Sequence, residues 1–125
     1  MVRWIVDAMN VIGSRPDGWW KDRHAAMVGL TLQLERWAAA DDRNVTVVFE
    51  RPPSPPISST VVQITAAPRA GADSADDEIV RLVRSDRKPH QITVVTSDIT
   101  LAERVTDAGA ATCPAARFRS MVEGR

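Results

Sequence analysis

The chain reads as one α/β domain built on a mostly parallel sheet of four to five strands, with helices on both faces. Three observations predict it. Strand-like and helix-like segments alternate for most of the length, in the order β α β β α β α β α. Carboxylates recur where a predicted strand runs out or a predicted helix begins. At 125 residues the chain suits a single core, and no internal repeat divides it.

Val2-Arg3-Trp4-Ile5-Val6 is a short apolar run ending at Asp7, and reads as a buried first strand. Gly13 and the stretch Ser14 to Gly18 carry turn chemistry. From about Trp20 to Ala40, the spacing of Met27, Leu30, Leu34 and Trp37 is helical, with Lys21, Arg23, Glu35 and Arg36 off that stripe. Val45 to Phe49 is the clearest β-branched strand. Arg51-Pro52-Pro53-Ser54-Pro55-Pro56 is an extended loop, because proline lacks the amide hydrogen a helix or central strand needs.

Thr60 to Thr65 is a third strand, expected near an edge. Ser74 to about Ser85 is a helix with Ser74 as its expected N-cap and acids in its first turn. Gln91 to Thr96 is a fourth strand and Asp98 to Ala108 a helix closed by Gly109. Ala110 to Cys113 is a short fifth strand, and Pro114 can begin a last helix through about Val122.

Sixteen basic and sixteen acidic residues give a formal net charge of zero, so any surface for an anionic partner must come from local clustering. The single cysteine, Cys113, rules out an internal disulfide and a cysteine-rich zinc site, and is expected to be a small buried or half-buried apolar residue. Met1 to Val6 lacks the long apolar core of a signal peptide, and no run approaches the roughly 20 apolar residues of a membrane span. The expected compartment is the cytoplasm.

In an open parallel sheet, the carboxyl ends of neighbouring strands face one crevice. Asp7 follows the first strand and Asp98 the fourth, while Asp73, Asp76 and Asp77 cluster at the helix start between. Each acid alone has an ordinary account: a turn residue, a cap, or a partner for a helix dipole. Together they suggest one pocket whose mutual repulsion a hard divalent cation would relieve.

Asp7-Ala8-Met9-Asn10-Val11-Ile12-Gly13, Ala75-Asp76-Asp77-Glu78-Ile79 and Val95-Thr96-Ser97-Asp98 resemble the NYN branch of the PIN-like ribonucleases, especially the small bacterial YacP-like proteins. Arg15 to Arg23 also looks like the actinobacterial members, and the likeness runs from Trp4 to about Phe118. The resemblance implies RNA cleavage by metal-activated water, with Mg²⁺ or Mn²⁺ held by Asp7, Asp76, Asp77 and Asp98. It also implies that Asn10 and Ser97 orient those acids or the phosphate, and Asp73 matches a further family acid. Three positions depart from the pattern: Ala8 stands where glycine is usual, Glu50 where aspartate is common, and Ala102 where some relatives carry another acid.

Arg15, Lys21 and Arg23 follow Asp7 and are candidate phosphate contacts, with Arg117 and Arg119 as a further basic pair. Of Trp19 and Trp20, at most one is expected to touch substrate by stacking on bases. His24 and His90 are read as surface residues rather than bases. The expected partner is RNA, single-stranded or structured, with no membrane and no small-molecule cofactor, and a homodimer is left open. The competing expectation, favoured by Ala102, is an RNA-binding or scaffold domain of the same fold with weak or no catalysis. A receiver-type phosphoacceptor ranks low, because no aspartate directly follows the third strand and no lysine follows Cys113.

Overall fold

The β-branched and apolar runs form five strands: β1 (Arg3–Asp7), β2 (Asn44–Phe49), β3 (Gln63–Ala66), β4 (Ile92–Val95) and β5 (Ala111–Cys113). A computed structural model describes residues 2–68 and 74–124, and the strands lie in one sheet in the order β3-β2-β1-β4-β5. Every pairing is parallel, with Ile5 beside Thr46 on one side and Val94 on the other. The helices are α1 (Ala8–Gly13), α2 (Arg23–Ala40), α3 (Ser74–Ser85), α4 (Ile99–Asp107) and α5 (Ala115–Val122).

Successive strand residues point to opposite faces, so each strand feeds two cores. On one side Val6, Val47, Phe49 and Val95 pack with Val11 and Ile12 of α1, Leu34 and Trp37 of α2, and Phe118 of α5. Trp37 meets Trp4 and Phe118 edge-on, with ring centroids 5.2 and 5.1 Å apart. On the other side Ile5, Val48 and Val94 pack with Ile79 and Val83 of α3 and Leu101 and Val105 of α4. The same alternation sends Asp7, and Glu50 and Thr96 just past their strands, toward the α3/α4 layer at the carboxyl edge of the sheet.

Gly109 closes α4 in a left-handed conformation, φ 103°. Its N–H donates to Thr106 O and that of Ala110 to Val105 O, the paired bonds of a Schellman turn. Among the described residues, no helix is long and apolar enough to cross a membrane.

Four local expectations need correction. The stretch after Asp7, where no helix is expected before Trp20, forms α1, whose Ala8, Val11 and Ile12 are buried. The helix expected from Trp20 starts at Arg23, after a 3₁₀ turn over Trp19–Lys21, because Asp22 caps it by accepting from Ala25 N–H at 3.0 Å. The third strand begins at Gln63, not Thr60, and lies at the sheet edge beside β2. Ser74 is the first residue of α3 rather than its cap, and its hydroxyl donates to Glu50 O at 3.0 Å, tying α3 to the end of β2. Cys113 is buried, with its thiol pKa pushed up by desolvation.

Candidate active site

The strand order reverses between β1 and β4, and a crevice at that point is where α/β sheets place ligands. A cavity of about 280 Å³ opens there, lined by Asp7, Met9, Asn10, Glu50, Ser74, Ala75, Asp76 and Asp98. Four carboxylates therefore share one wall, brought from the ends of β1 and β2, the first turn of α3 and the cap of α4.

Asp7 sits deepest and is 6 % exposed. Its Oδ2 accepts from Thr96 Oγ1 at 3.0 Å, across the β1–β4 seam. Burial raises its pKa from 3.8 to about 6, and the charges of Asp76 and Asp98 push the same way. The hydrogen bond from Thr96 and the nearby Asn10 backbone N–H oppose the shift without cancelling it. At neutral pH the pocket thus holds negative charge against a desolvation cost, the condition that a cation would relieve.

The residues around Asp7 hold the loop after β4 in place. Thr96 Oγ1 accepts from Asp98 N–H at 3.1 Å, and Asn10 Oδ1 accepts from Ser97 N–H at 2.8 Å. Ser97 Oγ accepts from Ala115 N–H at 2.8 Å, anchoring the start of α5. Asp98 caps α4 through Oδ1, which accepts from Leu101 N–H at 2.9 Å. Thr96 was not among the expected site residues, although Thr96-Ser97-Asp98 is a run of three hydrogen-bonding side chains directly after an apolar strand. Thr96→Val removes both of its bonds inside a buried cluster. It should cost about 1–3 kcal/mol in urea denaturation and raise the Asp7 pKa further.

Not every expected residue reaches the crevice. Asp76 lines it, but Asp77, one residue and about 100° further round α3, is exposed and accepts from Arg104 of α4 at 3.0 Å. Glu78 is buried and receives both Nε and a terminal nitrogen of Arg81, at 2.6 and 2.8 Å, which lowers its pKa. Asp73 lies outside the described residues. Glu50, noted only as a departure from a usual aspartate, lines the crevice and lies 3.8 Å from Arg23. Arg23 also stands over the Trp19 ring, 5.4 Å from its centroid. Arg15 and Lys21 line a different cavity, on the α1/α2 side. Trp20 is exposed and Trp19 half-buried. His24 Nε2 lies 2.8 Å from Pro55 O, and neither histidine lines the crevice.

The donor set is all oxygen, which suits a hard cation such as Mg²⁺ or Mn²⁺ rather than a soft one. Among the described residues no three acids, histidines or cysteines close into a ready-made cage. An ion held here would take few direct carboxylates and keep several of its waters.

The YacP-like NYN domain family matches residues 4–125. The crystal structure of Rae1 (YacP) from Bacillus subtilis superposes with a TM-score of 0.83 at 23 % identity, covering 99 % of this chain and 75 % of that one. The structure of a tryptophan-to-leucine mutant of the same protein gives 0.81, again at 23 % identity, covering 99 % and 76 %. No curated protein matches. These likenesses establish the fold, and the family match over nearly the whole chain makes this protein a member of the YacP-like NYN domain family, a nuclease family of PIN-like fold.

Proposed function

We propose that the domain is a ribonuclease, an endoribonuclease in the first instance, that hydrolyses RNA phosphodiester bonds at the Asp7–Asp76–Asp98 crevice with Mg²⁺ or Mn²⁺. The observation that carries this is the convergence of Asp7, Asp76, Asp98 and Glu50 on one cavity at the switch point of the sheet. Asp7 and Asp98 would hold the ion, with Asp76 and Glu50 acting on its waters. When bound, such an ion lowers the pKa of its water and offsets charge on the phosphate oxygens.

The rest falls to the chain itself. Thr96 fixes Asp7 through Oδ2, while Asn10 and Ser97 tie the Asp98 loop to α1 and α5. Arg23 lies beside Glu50 in a neighbouring cavity that shares Met9 and Glu50 with the crevice, and would meet a phosphate there.

The decisive comparison sets wild type against Asp98→Asn on mixed RNA with Mn²⁺, Mg²⁺ or EDTA, and on DNA in parallel. Asparagine is as good an N-cap as aspartate, so α4 stays capped while a ligand charge is lost. Cleavage should fall roughly 100-fold in the variant and stop in EDTA. Activity surviving both changes would refute the mechanism. One observation favours a second reading, an RNA-binding domain with little catalysis: Asp77 is turned to Arg104 and Ala102 adds no acid, so the site is sparse. RNA binding without cleavage in either metal would select it.

A further inference from the structure

A second cavity, about 500 Å³, lies between α1, the Arg15–Asp22 loop, α2 and α5, and shares no lining residue with the acidic crevice. Its size is that of a small-molecule pocket. Val11, Ile12, Ala26 and Leu30 give it an apolar floor, and Trp19 forms a wall.

Its rim is cationic. Arg15, Lys21, Arg36 and Arg119 face two acids, Asp17 and Asp22. Both acids are engaged, Asp17 with Arg15 at 2.8 Å and Asp22 in capping α2. Arg119 is fixed by donating to Ser14 O at 2.6 Å, and both it and Arg15 lie within ion-pair distance of Glu123. Lys21 and Arg36 make no ion pair among the described residues.

Gly29 is the unexpected lining residue. Mid-helix glycine is unfavourable relative to alanine, and at Gly29 a Cβ would meet nothing within 4 Å. No packing contact calls for glycine there. Gly29 is exposed and lines the cavity, so a larger side chain there would project from that face of α2.

We propose that this cavity binds a nucleoside monophosphate, free or as one unit of an RNA strand. The base would lie on the apolar floor beside Trp19, and the phosphate between Lys21 and Arg36. An apolar bed, an aromatic wall and two cations without an ion pair among the described residues call for a ligand with a flat apolar part and an anionic end. The inference goes beyond RNA cleavage and does not depend on it, since the binding needs no metal.

The test is titration of ¹⁵N-labelled protein with AMP in EDTA, following the tryptophan indole N–H signals. Saturable shifts are expected. Removing the phosphate (adenosine), or reversing a rim charge in Lys21→Glu or Arg36→Glu, should weaken binding about tenfold or more. Gly29→Leu should abolish it. Gly29→Ala should weaken it less while raising Tm, which separates filling of the cavity from unfolding. A short 5′-phosphorylated RNA that competes with AMP identifies the strand as the source, and failure to compete identifies the free nucleotide; both support the site. Absence of saturable AMP binding overturns the proposal, as does wild-type binding by a folded Gly29→Leu. Should Gly29→Leu not fold, wild-type binding by both charge reversals overturns it equally.

Discussion

Asp7→Asn is expected to abolish RNA cleavage, by roughly 1000-fold, and yet to make the metal-free domain more stable at neutral pH. The two effects share one cause. Burial and the neighbouring charges of Asp76 and Asp98 lift the Asp7 pKa to about 6 from 3.8. A carboxyl that binds its proton more tightly folded than unfolded gives stability that falls as pH rises between those two values. Below about pH 4 both states are protonated and no penalty exists. Above about pH 6 both are ionised and the penalty is complete, on the order of 3 kcal/mol. Asparagine keeps an oxygen for the Thr96 hydroxyl and carries no charge. Recovering even half of the penalty should raise Tm by about 5 °C at pH 7.5 in EDTA, with the gain vanishing near pH 4. A variant that melts below wild type at both pH values would show that Asp7 is not electrostatically strained.

How far this site could be read beforehand depends on which physical signal each residue leaves in the chain. The strands were legible because Val45, Val47 and Val48, or Ile92, Val94 and Val95, are buried β-branched runs whose composition suits no other element. Asp7 and Asp98 were legible for the same reason, since each marks where such a run stops. The rules for parallel connections narrow the possible sheet orders, and the structure supplies the order itself. Asp76 and Asp77 could not be separated that way. Only the helix rotation, and Arg104 waiting on α4, decides that Asp76 lines the crevice and Asp77 does not. α1 was illegible because six residues containing Asn10 and Gly13 have little helical tendency of their own. Packing of Val11 and Ile12 against α2 and α5 makes the helix, and packing is not local information. The placement of Arg15 and Lys21 away from Asp7 has the same origin: α1 carries the chain over the α2 face before the basic loop begins.

Divalent cations should stabilise the wild-type domain far more than their ionic strength explains. An ion that binds only the folded state adds about 2.7 kcal/mol at one hundred times its dissociation constant. For a chain of this length that is roughly 10 °C in Tm. Because ion binding requires the ionised carboxylate, it must displace the proton that Asp7 retains below about pH 6. The shift should therefore be full at pH 7.5 and shrink markedly at pH 5, opposite to the pH trend of the metal-free protein. Asp7→Asn and Asp98→Asn should each remove most of it, since each deletes a charge from the shared wall. Asp77→Asn should keep it, because that carboxylate is turned to Arg104. Sodium chloride at matched ionic strength separates screening from binding: diffuse screening acts over about 10 Å at 0.1 M and does not single out three side chains. If salt alone reproduced the rise, or if Asp77→Asn lost it while Asp98→Asn kept it, the crevice would not be where the ion sits.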